Sequence, residues 1–310
     1  MLTLYRRSVL GVAGLTPVSR LARRHGYRLA ARRFVAGESP EGALPALLEL
    51  RGRGFDIVLD VLGEYVGDVA AARAMQVEVA ASIETLARAG LPPVLSVKPT
   101  QLGLAIDPDL AADHALGLAL DAEAAGGKLT LDMEDARYVD ATLALLRRLW
   151  DGGALRASTV LQAYLHRTPG DLEALLADAP APTALELRVV KGAYAEAPEL
   201  VHGDVGAIRR AFTDLAERAW RSGAQVNVAT HDERLIREAA AFARGAALPS
   251  EKVEFQLLYG VKPALQRALL EQGQRVRLYV PVGRDWYGYF SRRLAERPAN
   301  LALVLRGLFG

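Results

Sequence analysis

Eight short apolar runs recur along this chain, and nearly every run ends on a polar residue that can take part in chemistry. In chain order the runs are FDIVLDVLGE, PPVLSVK, KLTLD, STVLQ, LELRVVKG, QVNVATH, VEFQ and RVRLY. They are separated by segments such as DHALGLALDAEAAG, whose apolar residues recur near the helical period of 3.6. Alternating strands and helices are typical of parallel βαβ units, and eight units predict an α/β fold, a (βα)8 TIM barrel.

The ends of these runs predict where the functional site lies. The active site of a (βα)8 barrel forms at the carboxyl ends of its strands, so polar residues that end successive strands should meet on one rim. The residues in question are Glu64, Lys98, Asp132, Gln162, Arg188 with Lys191, His231, Gln256 and Tyr279. We therefore expect these side chains to surround one pocket.

Composition excludes several classes of function. The chain has 310 residues, 51% of them hydrophobic, which is enough to bury a large core, as one large domain or two small ones. Its net charge is only +2, so we expect no nucleic-acid partner. The absence of cysteine excludes disulfides, thiolate metal sites, iron–sulfur clusters and cysteine nucleophiles, and it fits a reducing compartment. No apolar run reaches the roughly 20 residues that span a bilayer.

The first fifty residues differ from the remainder in charge. We predict a helical arm over residues 1–50, with breaks near Pro17 and Ser39-Pro40, and a barrel over residues 51–310. No acidic residue precedes Glu38, whereas eight arginines do: Arg6, Arg7, Arg20, Arg23, Arg24, Arg28, Arg32 and Arg33. Two interpretations stay open, namely solvated arginines on helices packed against the barrel, or a surface that rests on anionic lipid.

The segment after the eighth run, DWYGYFSRRLAERP, combines aromatic and cationic residues, which suits a helix that faces a pocket. Its adjacent residues Arg292 and Arg293 have two interpretations. They can hold a carboxylate from two directions, because the planar guanidinium binds carboxylates bidentately. Alternatively, they form a solvated pair bonded to Glu296 one turn away.

Common cofactor and metal motifs are missing. No GxGxxG follows a strand, no Walker A sequence is present, and no HExxH or clustered histidines point to a metal, so we expect none. Lys98 can serve as a Schiff-base nucleophile, as an anchor for an anion, or as a lysine that extends out of the barrel mouth. Asp132 can be a base, a metal ligand or the ion-pair partner of Lys98. A lyase or aldolase barrel with a Schiff base on Lys98 or Lys191 is therefore an alternative function.

Eight ordered strings resemble the proline dehydrogenase family, the flavin enzymes that begin proline catabolism. They are LDVLGE, LSVKPTQLG, LDMED, LQAYL, LRVVKGAY, VATHD, EFQLLYG and RLYVPVG followed by YFSRRLAERPAN, within residues 55–300. The resemblance implies a distorted (βα)8 barrel whose last helix lies over the strand ends. It also implies oxidation of L-proline to 1-pyrroline-5-carboxylate, with hydride transfer from C5 to N5 of FAD and reoxidation by a membrane quinone.

The resemblance also assigns roles to residues whose motifs match. It implies a substrate pocket of Lys98, Tyr279, Tyr289, Arg292, Arg293, Leu258 and Ala193. It implies contacts with FAD from Gln162, Arg188, Lys191, Gly192, Ala193, Tyr194, Thr230, His231 and Glu296. Asp132 matches the acid beside the lysine, and Arg188 matches the arginine that tunes the flavin, so both are expected to be catalytic. Glu64 matches the acid that pairs with Arg292 when the site closes.

Further expectations concern partners and location. After KGAY this chain has Ala195, where the long bifunctional relatives carry tryptophan, so the resemblance does not imply how adenine is held. Nothing resembles an aldehyde dehydrogenase or DNA-binding domain. We therefore expect a monofunctional enzyme that makes transient contact with a separate dehydrogenase of pyrroline-5-carboxylate and glutamate semialdehyde. The expected location is the cytoplasm, with peripheral contact at the inner face of the cell membrane.

Overall fold

A closed barrel of eight parallel strands forms the centre of the protein. The computed structural model describes residues 31–63, 65–181 and 185–296, except for the side chains of residue 31 and residues 292–296. The strands are β1 Asp56–Val61, β2 Val94–Val97, β3 Lys128–Leu131, β4 Ser158–Gln162, β5 Glu186–Val190, β6 Gln225–Ala229, β7 Val253–Leu258 and β8 Val276–Val282. They pair in chain order and β8 closes on β1, which confirms the predicted TIM barrel.

Helices alternate with the strands on the outside of the barrel. They are α1 Pro40–Gly52, α2 Val69–Arg88, α3 Pro108–Ala124, α4 Val139–Asp151, α5 Thr168–Asp178, α6 Val205–Arg221, α7 Glu233–Gly245, α8 Pro263–Glu271 and α9 Trp286–Glu296. Several begin at an aspartate whose carboxylate accepts a backbone N–H, as Asp68 does from Ala71 at 2.8 Å. Among the described helices, none is both long and apolar enough to cross a membrane.

Side chains on each strand alternate between an apolar face and a polar one. On β7, Phe255 and Leu257 are buried among the apolar side chains of the main core, whereas Glu254 and Gln256 bond to arginines of other strands. Successive residues of a strand point to opposite faces, so the polar set fills the inside of the barrel. The lumen of this barrel is therefore a buried polar network.

Two strand ends differ from the prediction. β1 ends at Val61, and the predicted strand end Glu64 lies outside the described residues. β8 continues to Val282, so Tyr279 lies in mid-strand. However, Tyr279 pairs with Leu258, the last residue of β7. Barrel strands are staggered, and this stagger places the middle of β8 level with the end of β7. Tyr279 therefore still reaches the rim.

The segment before β1 joins the barrel closely. Ser39 accepts a hydrogen bond from the backbone N–H of Gly42 and caps α1, which begins at the predicted break. Ala43, Leu47 and Leu50 of α1 belong to the main hydrophobic core. Residues 1–30 of the predicted arm lie outside the described residues, so the boundary at residue 50 stays a prediction.

Two glycines with opposite surroundings provide a test of the packing. A Cβ on Gly127, which precedes β3, would lie 2.0 Å from the carbonyl oxygen of Pro93, whereas one on Gly117 in α3 would meet nothing within 4 Å. Gly127→Ala should destabilise the protein by about 1–3 kcal/mol through overpacking. Gly117→Ala should stabilise it by roughly 0.5–1 kcal/mol, because alanine favours a helix interior. Urea unfolding of both variants measures the two shifts, and equal shifts would contradict this packing.

Candidate active site

A cavity of about 830 Å³ opens at the carboxyl ends of the strands. Most of the site residues expected from the sequence line it together: Lys98, Asp132, Gln162, Arg188, Lys191, Gly192, Ala193, Tyr194, Thr230, His231, Leu258, Tyr279 and Tyr289. A volume of this size accommodates a cofactor together with a small substrate. Polar strand ends therefore converge on one pocket, as the barrel geometry requires.

Four expected site residues lie outside this description. Glu64 is not among the described residues, and the side chains of Arg292, Arg293 and Glu296 are not described. The structure places all three helical residues on α9, the helix that carries Tyr289. Their assignments as carboxylate ligands, flavin contact and gate stay predictions.

An ion pair between the buried Arg188 and the part-buried Asp132 lies at the floor of the cavity. Nη1 of Arg188 lies 2.5 Å from Oδ1 of Asp132, and the residue Arg188 is only 4% exposed. Ser96 donates to the same carboxylate oxygen at 2.7 Å, and the hydroxyl of Tyr279 donates to the other at 2.6 Å. Because both oxygens of this part-buried carboxylate accept hydrogen bonds, the cost of its partial desolvation is offset.

Tyr279 is held in its neutral form. Its burial, together with the negative charges of Asp132 and Asp60, raises the pKa of its phenol well above the ordinary value. The guanidinium of Arg188 also lies over its ring, 5.3 Å from the centroid. Tyr279 therefore acts at neutral pH as a fixed donor to Asp132, with its ring edge available to the cavity.

Lys98 has a carboxylate partner that the sequence analysis did not single out. Its Nζ donates to Oδ1 of Asp60 at 3.2 Å, and Asp60 is 1% exposed. Burial raises the pKa of Asp60, the ammonium of Lys98 opposes that rise, and the charge of Asp132 adds to it. Asp60 lies inside the first apolar run, and an aspartate within a predicted buried strand was the sequence signal that could have marked it as a functional residue. The pair puts an ammonium group at the wall of the cavity, which suits an anchor for an anion.

A chain of hydrogen bonds links the floor of the cavity to the opposite half of the lumen. Nε of Arg188 donates to Oε1 of Gln256 at 2.6 Å, and Nε2 of Gln256 donates to Glu254 at 2.8 Å. Arg277 donates to Glu254 with Nε at 2.7 Å and Nη2 at 3.0 Å. A carboxylate accepts hydrogen bonds and donates none, so the amide nitrogen of Gln256 must face Glu254. The amide oxygen of Gln256 therefore faces Arg188. The ion pair of Glu254 and Arg277 thus orients Arg188 through the amide of Gln256.

The loops after β2 and β3 are joined by a buried acid, Glu134. Its carboxylate accepts from Thr100, at 2.9 Å from the backbone nitrogen and 2.6 Å from the hydroxyl. Its backbone carbonyl accepts from Nε2 of Gln162 at 2.8 Å. The sequence analysis did not assign Glu134 a role. Its bonds fix the loop that follows Lys98 relative to the loop that follows Asp132.

The opposite side of the cavity carries a concentration of positive charge. Lys191, Arg209 and Lys262 line this side together with His231. Asp232 accepts from Nε of Arg209 at 2.9 Å and from Nζ of Lys191 at 3.2 Å. Burial acts to raise the pKa of Asp232, but these two cations lower it to about 2. Lys262 pairs with Glu233 at 2.6 Å, so three cations face two carboxylates here, and this excess of positive charge suits an anionic ligand such as a pyrophosphate.

Two of these cations, Arg209 and Lys262, were missed by the sequence analysis. Arg209 comes from α6, an outer helix, so no strand-end pattern marks it. Lys262 immediately precedes α8 and has a φ of 49°. Its ammonium donates to the backbone carbonyl of His231 at 3.1 Å, which ties the loop after β7 to the loop after β6.

Gly192 allows the loop after β5 to line the cavity with backbone. Its φ is +109°, a conformation that favours glycine, and an added Cβ would lie 2.0 Å from the ring of Tyr164. The hydroxyl of Tyr164 donates to Glu196 at 3.4 Å, and Glu196 also accepts from the backbone nitrogen of Ala136 at 2.8 Å. The loop is thus held close enough for backbone contacts with a ligand.

The family model described as Proline dehydrogenase matches residues 43–305 of this chain. The chain belongs to the proline dehydrogenase family. Proline dehydrogenase of Deinococcus radiodurans is 40% identical over 309 residues, 98% of each chain. Proline dehydrogenase 1 of Bacillus subtilis strain 168 is 36% identical over 291 residues, 94% of each chain. The resemblance found in the strand-end motifs is therefore confirmed.

Solved structures agree with this family assignment. A mutant of proline utilization A (PutA) from Bradyrhizobium japonicum superposes with a TM-score of 0.72 at 25% identity, over 95% of this chain. PutA from Bdellovibrio bacteriovorus, inactivated by N-propargylglycine, superposes with a TM-score of 0.79 at 24% identity, over 85% of this chain, and shows the shared fold. This chain spans 35% and 32% of those two longer chains, respectively.

The ion pair below the site predicts a pH-dependent stability. Burial alone would raise the pKa of Glu254, but the guanidinium of Arg277 lowers this pKa to about 2 from its ordinary value of 4.5. A depressed pKa stabilises the folded state above the unfolded pKa, and this contribution is lost as pH falls from about 4.5 towards 2. Glu254→Gln should cost on the order of 3 kcal/mol at pH 7, because it leaves a buried arginine without its charge partner.

Urea unfolding at pH 7 and pH 3 measures this effect, with Glu173→Gln as the control. The side chain of Glu173 is 69% exposed, and its ion pair with Arg218 spans 3.4 Å, so its replacement should change stability little at either pH. The difference between the wild type and Glu254→Gln should shrink at pH 3. A difference that stays constant between the two pH values would contradict the assignment.

Proposed function

We propose that this protein oxidises L-proline to 1-pyrroline-5-carboxylate and passes the hydride to a non-covalently bound FAD. The observation that carries the proposal is one continuous cavity with two chemically different sides, in a member of the proline dehydrogenase family. One side offers Lys98 and Tyr279, and the other offers Lys191, Arg209 and Lys262 against the carboxylates of Asp232 and Glu233. A small amino acid fits the first side and a dinucleotide fits the second.

The substrate side suits a zwitterion. The ammonium of Lys98 supplies a charge for the proline carboxylate, and Arg292 and Arg293 of α9 are proposed to complete the binding site. Leu258, Tyr279 and Tyr289 line the same part of the cavity and are proposed to pack on the ring. Rigid placement of this kind supplies much of the rate enhancement of a hydride transfer.

The cofactor side suits the phosphates and the ring system of FAD. We propose that Lys191, Arg209 and Lys262 neutralise the pyrophosphate, while the backbone of residues 192–194 allows close approach. Gln162, Thr230, His231 and Glu296 are proposed as further contacts. When bound, the flavin supplies the hydride acceptor. Arg188 is proposed to tune that acceptor, and Asp132 to hold Arg188 in place.

The contact between Lys98 and Asp60 favours this function over a Schiff-base lyase. A nucleophilic lysine must present a neutral amine, whereas the Nζ of Lys98 donates to a buried carboxyl at 3.2 Å. Lys191 likewise donates to Asp232. Both lysines have carboxylate partners that suit a charged role, so borohydride should trap neither of them with a carbonyl substrate.

The later fate of the electrons and of the product follows from the family resemblance. We propose that a membrane quinone reoxidises the flavin and that a separate dehydrogenase consumes the product. The basic residues 1–37 support a cytoplasmic protein that contacts anionic lipid at the inner face of the membrane.

The visible absorption spectrum of the purified protein tests the proposed function. We expect a flavin spectrum that bleaches when L-proline is added without oxygen, and flavin that enters the supernatant on acid precipitation. The control is D-proline, which presents the same charges with the opposite arrangement around the α-carbon and should bleach the flavin far more slowly. A flavin that L-proline leaves oxidised would overturn the proposal.

The carboxylate ligands are tested by replacement of each arginine of α9. Arg292→Met and Arg293→Met should each raise the KM for proline at least tenfold while flavin stays bound, since losing a buried charge-assisted partner costs about 2–5 kcal/mol. Arg267→Met, on the exposed face of α8, is the matched control and should leave the KM unchanged. Normal proline saturation in both α9 variants would show that the carboxylate binds elsewhere.

A further inference from the structure

Residues 33–37, termed here the clamp segment, complete the edge of β8. The backbone N–H of Ala36 donates to the carbonyl of Pro281 at 3.0 Å, and the N–H of Gly283 donates to the carbonyl of Gly37 at 3.0 Å. β7 ends at the level of Tyr279, so the last residues of β8 extend beyond it. The clamp segment takes the place that a longer β7 would occupy.

A glycine in the turn after β7 lets the clamp segment pass closely. Gly260 has a φ of +74°, and a Cβ added there would lie 1.8 Å from the carbonyl oxygen of Arg33 and 3.3 Å from the ring of Phe34. No side chain fits into that space without displacing backbone. The path of the clamp segment is thus fixed by contact with the barrel as well as by hydrogen bonds.

The side chains of the clamp segment pack against α9. Phe34 and Val35 are 1% and 0% exposed. They belong to a second hydrophobic cluster, separate from the main core. The other members of this second cluster are Leu62, Trp286, Tyr287, Tyr289 and Phe290. The rings of Phe34 and Phe290 lie 6.2 Å apart between centroids. Four of these partners belong to α9, so the clamp segment forms one wall against which this helix rests.

We propose that Phe34 is a positioning residue for proline, because its packing against Phe290 sets the position of α9 over the cavity. The helix carries Tyr289, which lines the cavity, and Arg292 and Arg293. The inference rests on the proposed function, since it concerns the same substrate. Its physical basis is that a helix without this wall samples other positions, and binding must then select the competent one.

Loss of the contact between Phe34 and α9 should affect the binding of proline but not the binding of flavin. Of the residues proposed to hold the cofactor pyrophosphate, Lys191 follows β5 and Arg209 lies on α6, both away from the clamp segment, whereas Lys262 lies two residues after Gly260. A loosened α9 should therefore weaken proline binding while flavin content stays normal. Turnover at saturating proline should change little, since the bound substrate itself holds α9 in place.

Steady-state kinetics of Phe34→Ala, with Phe55→Ala as a matched control, tests this. Phe55 is also 1% exposed but precedes β1 at the opposite end of the barrel. Phe34→Ala should raise the KM for proline tenfold or more, with normal flavin stoichiometry and kcat within about threefold. Phe55→Ala creates a similar cavity and should leave the KM within about twofold. Equal KM changes in the two variants would show a general packing defect and overturn the inference.

Two milder variants keep the test decisive if Phe34→Ala folds poorly. Phe34→Leu keeps most of the buried volume and should raise the KM by a smaller factor. Gly260→Ala leaves the residues of α9 unchanged but displaces Arg33, so it should raise the KM; flavin content is compared in the Phe34 variants, because Gly260 lies two residues before Lys262. An unchanged KM in both of these variants would overturn this inference but leave the proposed function standing. Absence of proline-dependent bleaching in the unmodified protein would instead overturn the proposed function, and this inference with it.

Discussion

The ion pair of Arg188 and Asp132 is the interaction on which the site depends. Two charges inside a closed barrel are unfavourable unless every polar atom around them has a partner. Ser96, Gln256 and Tyr279 supply those partners from three further strands. The pair is therefore tied to strands around the whole barrel, and moving any one of them would leave a charge incompletely bonded.

This network explains why the two sides of the cavity can perform different tasks. Arg188 and Asp132 neutralise each other at the centre, whereas the cations near the rim have carboxylate partners of their own and outnumber them beside β6, where Lys191, Arg209 and Lys262 face Asp232 and Glu233. Lys98 faces the side proposed for the substrate, while Arg209 and Lys262 face the side proposed for the cofactor. Arg188 belongs to the lumen and also lines the cavity, which places a fixed guanidinium between the two sides.

The lumen fixes the floor of the site, but its cover is fixed from outside the barrel. α9 rests on a separate hydrophobic cluster that includes Phe34 and Val35, which come from the segment before the first strand. The end of β8 pairs with β1, but the stagger of the strands leaves its other edge beyond the end of β7, and the clamp segment fills that edge. The unpaired edge left by the strand stagger is thus where the clamp segment binds, and there it contacts α9.

The sequence by itself determined the barrel and most of the residues around the cavity. Strand and helix patterns depend on residues close together in the chain, so the strands and helices could be predicted from the sequence. The carboxyl ends of the strands in a parallel barrel must also share one rim, which predicted the location of the cavity. Only the tertiary structure showed that Asp60 bonds to Lys98 and that Arg209 reaches the cavity from α6. It also showed that Phe34 packs on Phe290. These contacts depend on strand stagger and on segments far apart in the chain, which no local periodicity encodes.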